Sequence, residues 1–329
     1  MLRFFRSHHS AVIVAILFIG ILTWLNMLIN PVIVPSERYE TFMYQAFNGW
    51  LVKLPEIRAW CGLMLFLLTA VLLVYVNTRF RLIDKISYLP ALCYVLLIGG
   101  VTEIHLFNPA VFAAILLVTA FFFLAKSFES DRLSYSYFVA PIFISTATFF
   151  YPYMYAYMLA VWLAIAFYRP AYWREWVFSI LGYAVPLFFA FSWFFLMDDD
   201  YTRMGVFFHE IFTIQRVMPS ISIPSIGFIA LTVAIVALAF GYLTRYLGSK
   251  KVVIRNRYYV LILITFTTLI LILAVPDMLP LAWYLLSFPM SFFLSYFLAT
   301  IKSMRWGNVV LFLLFAAVIA VQAFFLSTG

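Results

Sequence analysis

Residues 59–77 read AWCGLMLFLLTAVLLVYVN, nineteen positions without a charged side chain. In water such a run has no face to turn to the solvent. As an α-helix rising about 1.5 Å per residue it matches the roughly 30 Å hydrocarbon core of a bilayer. Working outward, runs of the same kind lie near 11–34, 88–103, 109–125, 134–151 and 152–168, and again near 176–197, 221–244, 258–275, 279–300 and 307–326. Tyr151-Pro152-Tyr153 and Pro276-Asp277 divide neighbouring runs at points that suit tight helical hairpins, because proline ends a helix. The pattern predicts an all-α polytopic integral membrane protein of about eleven helices, a single transmembrane domain over 1–329. Nine or ten is the alternative count, since the 88–103 run is short.

Composition points the same way. Of 329 residues, 66% are hydrophobic, 21% aromatic and 10% charged. Soluble domains hold about 25% charged residues, so a water-soluble globule is excluded. The spans use up most of the chain and leave no room for a soluble domain of ordinary size.

Lys and Arg accumulate on the cytoplasmic side of membrane proteins. With eleven spans and a cytoplasmic N-terminus, inner segments receive sixteen of the 21 basic residues, and the outer ones keep Arg38, Lys53, Arg58, Arg203 and Arg216. The net charge of +8 is scattered over short inner loops, which suits anionic lipid headgroups rather than nucleic acid. The run after Met1–Ser10 reads as a retained signal anchor, in keeping with a bacterial inner membrane.

What the spans lack narrows the chemistry. None carries Asp, Glu, Lys, Arg or His at its middle, which argues against a pump or ion-coupled transporter. There is no HExxH, GxSxG, CxxC or P-loop, and four histidines cannot build a multi-histidine metal site. Cys61 and Cys93 fall in apolar runs and read as small hydrophobes.

The candidate residues all lie on the expected outer face. The first outer loop, 35–57, places Tyr39, Phe42, Met43, Phe47, Trp50 and Leu54 at helical spacing, an amphipathic helix for the headgroup plane. Glu37 and Glu40 sit in its first turn, where they can serve chemistry or simply the helix dipole. Glu103 and His105 share a tight hairpin, and can act as acid and base, as ligands, or as a solvated ion pair. The other long outer loop, 198–220, opens with Asp198-Asp199-Asp200, which can hold a divalent cation or cap a helix. Its second amphipathic helix sets His209, Thr213 and Arg216 on one side, where Arg216 can pair with a phosphate.

Pro35-Ser36-Glu37-Arg38-Tyr39-Glu40 followed by Glu103-Ile104-His105 resembles the GT-C class of membrane glycosyltransferases, which place an acidic residue in each of the first two outer loops. The resemblance covers the arrangement of about the first 110 residues. It implies a polyprenyl-phosphate-linked sugar as donor, Glu37 or Glu40 as general base, Glu103 and His105 positioning the acceptor or a cation, and Arg38 with Arg216 on the lipid phosphate. Tyr44 would stack on a sugar ring. In this chain His105 stands where that class often has a second acid. The chain is also similar to a family of short multi-span bacterial inner-membrane proteins, which implies no activity. The other reading is a non-catalytic membrane subunit with a protein partner, or a lipid or polyprenol transporter of envelope biogenesis.

Overall fold

The computed structural model describes residues 1–7, 9–29, 43–44, 54–83, 87–105, 107–129, 135–168, 172–197, 221–276 and 279–328. Among them every regular element is a helix. In chain order these are α1 (Leu2–Phe5), α2 (Ser10–Thr23), α3 (Leu25–Ile29), α4 (Pro55–Phe80), α5 (Leu89–Gly99), α6 (Pro109–Lys126), α7 (Ser136–Thr148) and α8 (Tyr157–Tyr168). They continue with α9 (Trp173–Met197), α10 (Ile223–Leu247), α11 (Val252–Ala274), α12 (Leu279–Thr300) and α13 (Met304–Thr328). Two 3-10 turns, Thr102–Ile104 and Pro152–Ala156, lead into α6 and α8.

Seven of these helices, α4, α6 and α9 to α13, are long and apolar enough to cross a membrane. The runs expected near 11–34, 88–103, 134–151 and 152–168 are helical but shorter among the described residues. The first breaks at Trp24, between α2 and α3. Large apolar side chains such as Phe18, Met64, Phe188, Phe189, Leu238, Leu273 and Phe312 are exposed. A belt of that extent belongs against lipid rather than water. The chain is thus an all-α protein built for a membrane.

α12 lies at the centre, packed against α5, α6, α10 and α11. Ser287, Ser291 and Ser295 recur every fourth residue along it and are wholly buried, so neighbouring helices approach closely there. In lipid this close packing, rather than escape from water, holds helices together. α5 is buried along its whole length, while α9 is attached mainly to α7 and shows most of its surface to the outside.

Local rules explain the helix ends. Pro55, Pro109 and Pro224 stand in the first turns of α4, α6 and α10, where the missing N–H costs nothing. Asn108 Oδ1 caps α6 by accepting from Val111 N at 3.1 Å. Arg81 closes α4 in a left-handed conformation, φ 49°.

One end of the bundle is basic and cross-tied. Arg257 donates from Nε to Ala125 O and from Nη1 to Phe80 O, both at 3.1 Å, and from Nη2 to Glu129 at 3.0 Å. Arg6 reaches Leu298 O at 2.9 Å and Ile301 O at 3.2 Å, tying α1 to the end of α12. α11 begins at Val252, six residues before the apolar run expected at 258. The helix continues through Arg255, Asn256 and Arg257, and the Arg257 guanidinium finds carbonyl and carboxylate partners there.

Candidate functional site

At the opposite end, the link between α5 and α6 gathers neighbours from across the bundle. Trp283 Nε1 donates to Leu97 O at 2.8 Å, and Tyr284 Oη donates to Ile104 O at 3.1 Å. Asn108 Nδ2 donates to the same Ile104 carbonyl at 3.0 Å. From α13, Gln322 Nε2 donates to Thr23 O at 2.9 Å and Gly99 O at 2.8 Å, closing α2, α5 and α13 onto one another. Carbonyls at helix ends lack intrahelical donors, and in a membrane-embedded chain each has to be satisfied by a side chain.

Glu103 sits in the 3-10 turn. Its Oε1 accepts from Ser222 N and its Oε2 from Ser225 Oγ, each at 2.7 Å. Both oxygens therefore cap the start of α10, 119 and 122 residues further along the chain. A carboxylate there also suits the positive end of the helix dipole. Glu103→Ala is expected to cost about 2 kcal/mol, since two short hydrogen bonds to a carboxylate are lost. Glu103→Gln, which keeps one acceptor, should fall between wild type and Ala in thermal unfolding of the purified protein; an unchanged melting temperature in both variants contradicts the capping role.

His105 is buried, with its ring stacked on Trp24 at 5.2 Å between centroids, and its Nε2 is 3.0 Å from Ile98 O. A carbonyl oxygen only accepts, so Nε2 carries the proton in this pair. Desolvation pushes the imidazole pKa down from 6.5 to about 4, against the opposing pull of the Ile98 carbonyl and the Glu103 carboxylate. Between those pH values the unfolded chain binds a proton that the folded chain refuses. Stability is full above pH 6.5 and falls as the pH drops towards 4, by up to about 3 kcal/mol. The melting temperature of wild type should fall more steeply over this range than that of His105→Phe; equal slopes contradict the assignment.

Tyr44 Oη donates to Phe107 O at 2.7 Å, its ring lies 6.0 Å from that of Phe107, and Arg58 Nη2 is 3.4 Å from the hydroxyl. Burial raises the phenol pKa, and the Arg58 charge opposes that rise. The structure thus brings together Tyr44, Glu103 and His105 around the 101–108 link, with different partners for each. Glu37, Arg38, Glu40, Asp198, Asp199, Asp200, His209 and Arg216 lie outside the described residues, as do both expected interfacial helices apart from Met43 and Tyr44, which are helical, and Leu54, which precedes α4. Among the described residues no three His, Cys, Asp or Glu side chains gather as a metal site.

Sequence reasoning did not find Gln322, Trp283, Tyr284, Ser222 or Ser225. An amide deep within the apolar run of α13 was the available signal for Gln322, whereas the serine partners of Glu103 carry none. The chain matches no family model, no curated protein and no solved structure.

Proposed function

We propose that the chain is a GT-C-like membrane glycosyltransferase of a bacterial inner membrane, with eleven spans and a cytoplasmic N-terminus, acting on a polyprenyl-phosphate-linked sugar at the outer face. One observation carries this reading: Tyr44, from within the first long segment, and Ser222, just past the second, both bond to residues of the 101–108 link. Tyr44 ties the first long segment to Phe107, and Glu103 ties the link to Ser222 and Ser225, where the last long segment enters α10. Supporting it, the basic ties of Arg6, Arg79 and Arg257 gather at the other end of the bundle, where the cytoplasmic side is expected.

In this proposal Glu37 or Glu40 takes the proton of an acceptor hydroxyl. The hydroxyl oxygen then bonds to the anomeric carbon as the bond from that carbon to the phosphate oxygen breaks. Arg38 and Arg216 receive the polyprenyl phosphate, whose charge a guanidinium fork matches. Glu103, His105 and Tyr44 are positioning residues that hold the loops together. With a panel of radiolabelled polyprenyl-phosphate sugars, Glu37→Gln or Glu40→Gln should cut transfer by about 100-fold or more in at least one case. Wild-type transfer by both variants overturns the assignment.

A second reading has its own observation. Both oxygens of Glu103 are engaged and His105 is buried, so these groups serve the fold rather than an open cavity. That arrangement also fits a non-catalytic membrane subunit or a polyprenol transporter.

A further inference from the structure

α10 and α11 are joined by a short turn at 248–251, yet each leans on α12 rather than on the other. The cleft left between them holds about 320 Å³. Its walls are Val233, Ala237 and Phe240 of α10 and Ile262, Phe266 and Leu269 of α11, with Leu286, Met290 and Phe293 of α12 as floor. Thr265 is the one lining residue with a polar side-chain atom, and its hydroxyl is turned to Leu261 O.

Charge marks one mouth of this cleft. Arg255 precedes Ile262, Phe266 and Leu269 on α11 at positions 0, 7, 11 and 14, a single helical stripe, and Lys251 stands just before the helix begins. Lys250 Nζ lies 5.4 Å from the centre of the Tyr296 ring of α12, over the same end of the floor. No acidic residue occurs anywhere from 211 to 276. Along the helix, Ile262 stands about 10 Å and Leu269 about 21 Å beyond Arg255. Half a hydrocarbon core is about 15 Å, so the apolar cleft occupies the depth at which one leaflet's acyl chains run, with the cations at headgroup level.

We propose that this cleft binds one anionic phospholipid, its phosphate at Lys250, Lys251 and Arg255 and one acyl chain laid between α10 and α11. The bare walls offer nothing to a polar ligand, and the stretch that joins α10 to α11 has no acid to offer a cation. A zwitterionic lipid with the same chains would fill the cleft without net attraction at its mouth. The site is separate from the 101–108 link and does not depend on any activity there.

The test uses the full-length protein in phosphatidylcholine liposomes, with phosphatidylglycerol carrying a photoactivatable diazirine in one acyl chain as probe. Label is expected on peptides of α10 and α11 that line the cleft. Unlabelled phosphatidylglycerol should compete at least about tenfold better than phosphatidylcholine of the same chains. Ala237→Phe, which fills the cleft, should remove that label, and Lys251→Ala with Arg255→Ala should erase the headgroup preference. Label spread evenly over the outward faces of α9 and α13, or equal competition by the two lipids, overturns the proposal. The wild-type labelling pattern decides the matter even if a variant fails to fold.

Discussion

Arg257→Leu should destabilise the folded chain by about 3 kcal/mol or more. The guanidinium is only 4% exposed and serves three acceptors on two other helix ends, Phe80 O, Ala125 O and Glu129, while lying 4.4 Å over the Phe80 ring. Leucine supplies bulk but no donor, so two terminal carbonyls of α4 and α6, on the buried residues Phe80 and Ala125, lose their partner. Lysine should recover only part of the loss, because a single ammonium cannot copy a planar fork aimed at three oxygens. The neighbouring Arg79 provides the contrast: its side chain is 44% exposed, and its ion pair with Glu129 at 2.8 Å stands at the surface. Arg79→Ala should therefore cost no more than about 1 kcal/mol. Thermal unfolding followed by tryptophan fluorescence ranks the variants, and equal melting temperatures for Arg257→Leu and Arg79→Ala contradict the account.

Gly182→Ala is expected to loosen α9 from α7, at a cost of about 1–3 kcal/mol. A Cβ at Gly182 would stand 2.9 Å from the carbonyl carbon of Phe138 and closer still to its oxygen, and both atoms are backbone. A side chain can rotate away from such a contact, whereas backbone yields only if the helices part. Two effects compete, since alanine favours a helix over glycine by about 1 kcal/mol. The clash wins because α7 is the main support of α9. Gly241→Ala isolates the propensity effect: nothing lies within 4 Å of a Cβ there, so this variant should equal or exceed wild-type stability. Destabilisation of Gly241→Ala to the same degree as Gly182→Ala would remove the packing argument.

The helices were legible because apolar length is a local property. The run expected at 279–300 is the helix Leu279–Thr300, and that at 109–125 is one residue short of Pro109–Lys126. Departures occur where polar residues interrupt an apolar run without interrupting the backbone, as at Arg255 and Arg257 in α11. The candidate site was less legible, since its order comes from pairs remote in sequence. Glu103 finds Ser222, and Gln322 finds Thr23 and Gly99, with nothing nearby in the chain to announce either pairing. The histidine two places after Glu103 reads as a potential acid or ligand until its burial against Trp24 is known. Thr146, Thr148 and Ser192, polar residues inside α7 and α9, each donate to a carbonyl four residues back in their own helix. Side chains such as Trp283, Tyr284, Gln322 and Arg257 reach other elements instead.

Lipid that copurifies with the protein tests the proposed role at the outer face most directly. Mass spectrometry of the full-length chain extracted from its own membrane should find a polyprenyl-phosphate sugar retained by wild type and reduced in Glu103→Ala, whose loops are no longer tied to α10. Phospholipid alone, together with a stable protein partner, would contradict the glycosyltransferase reading and leave the membrane-subunit reading in its place.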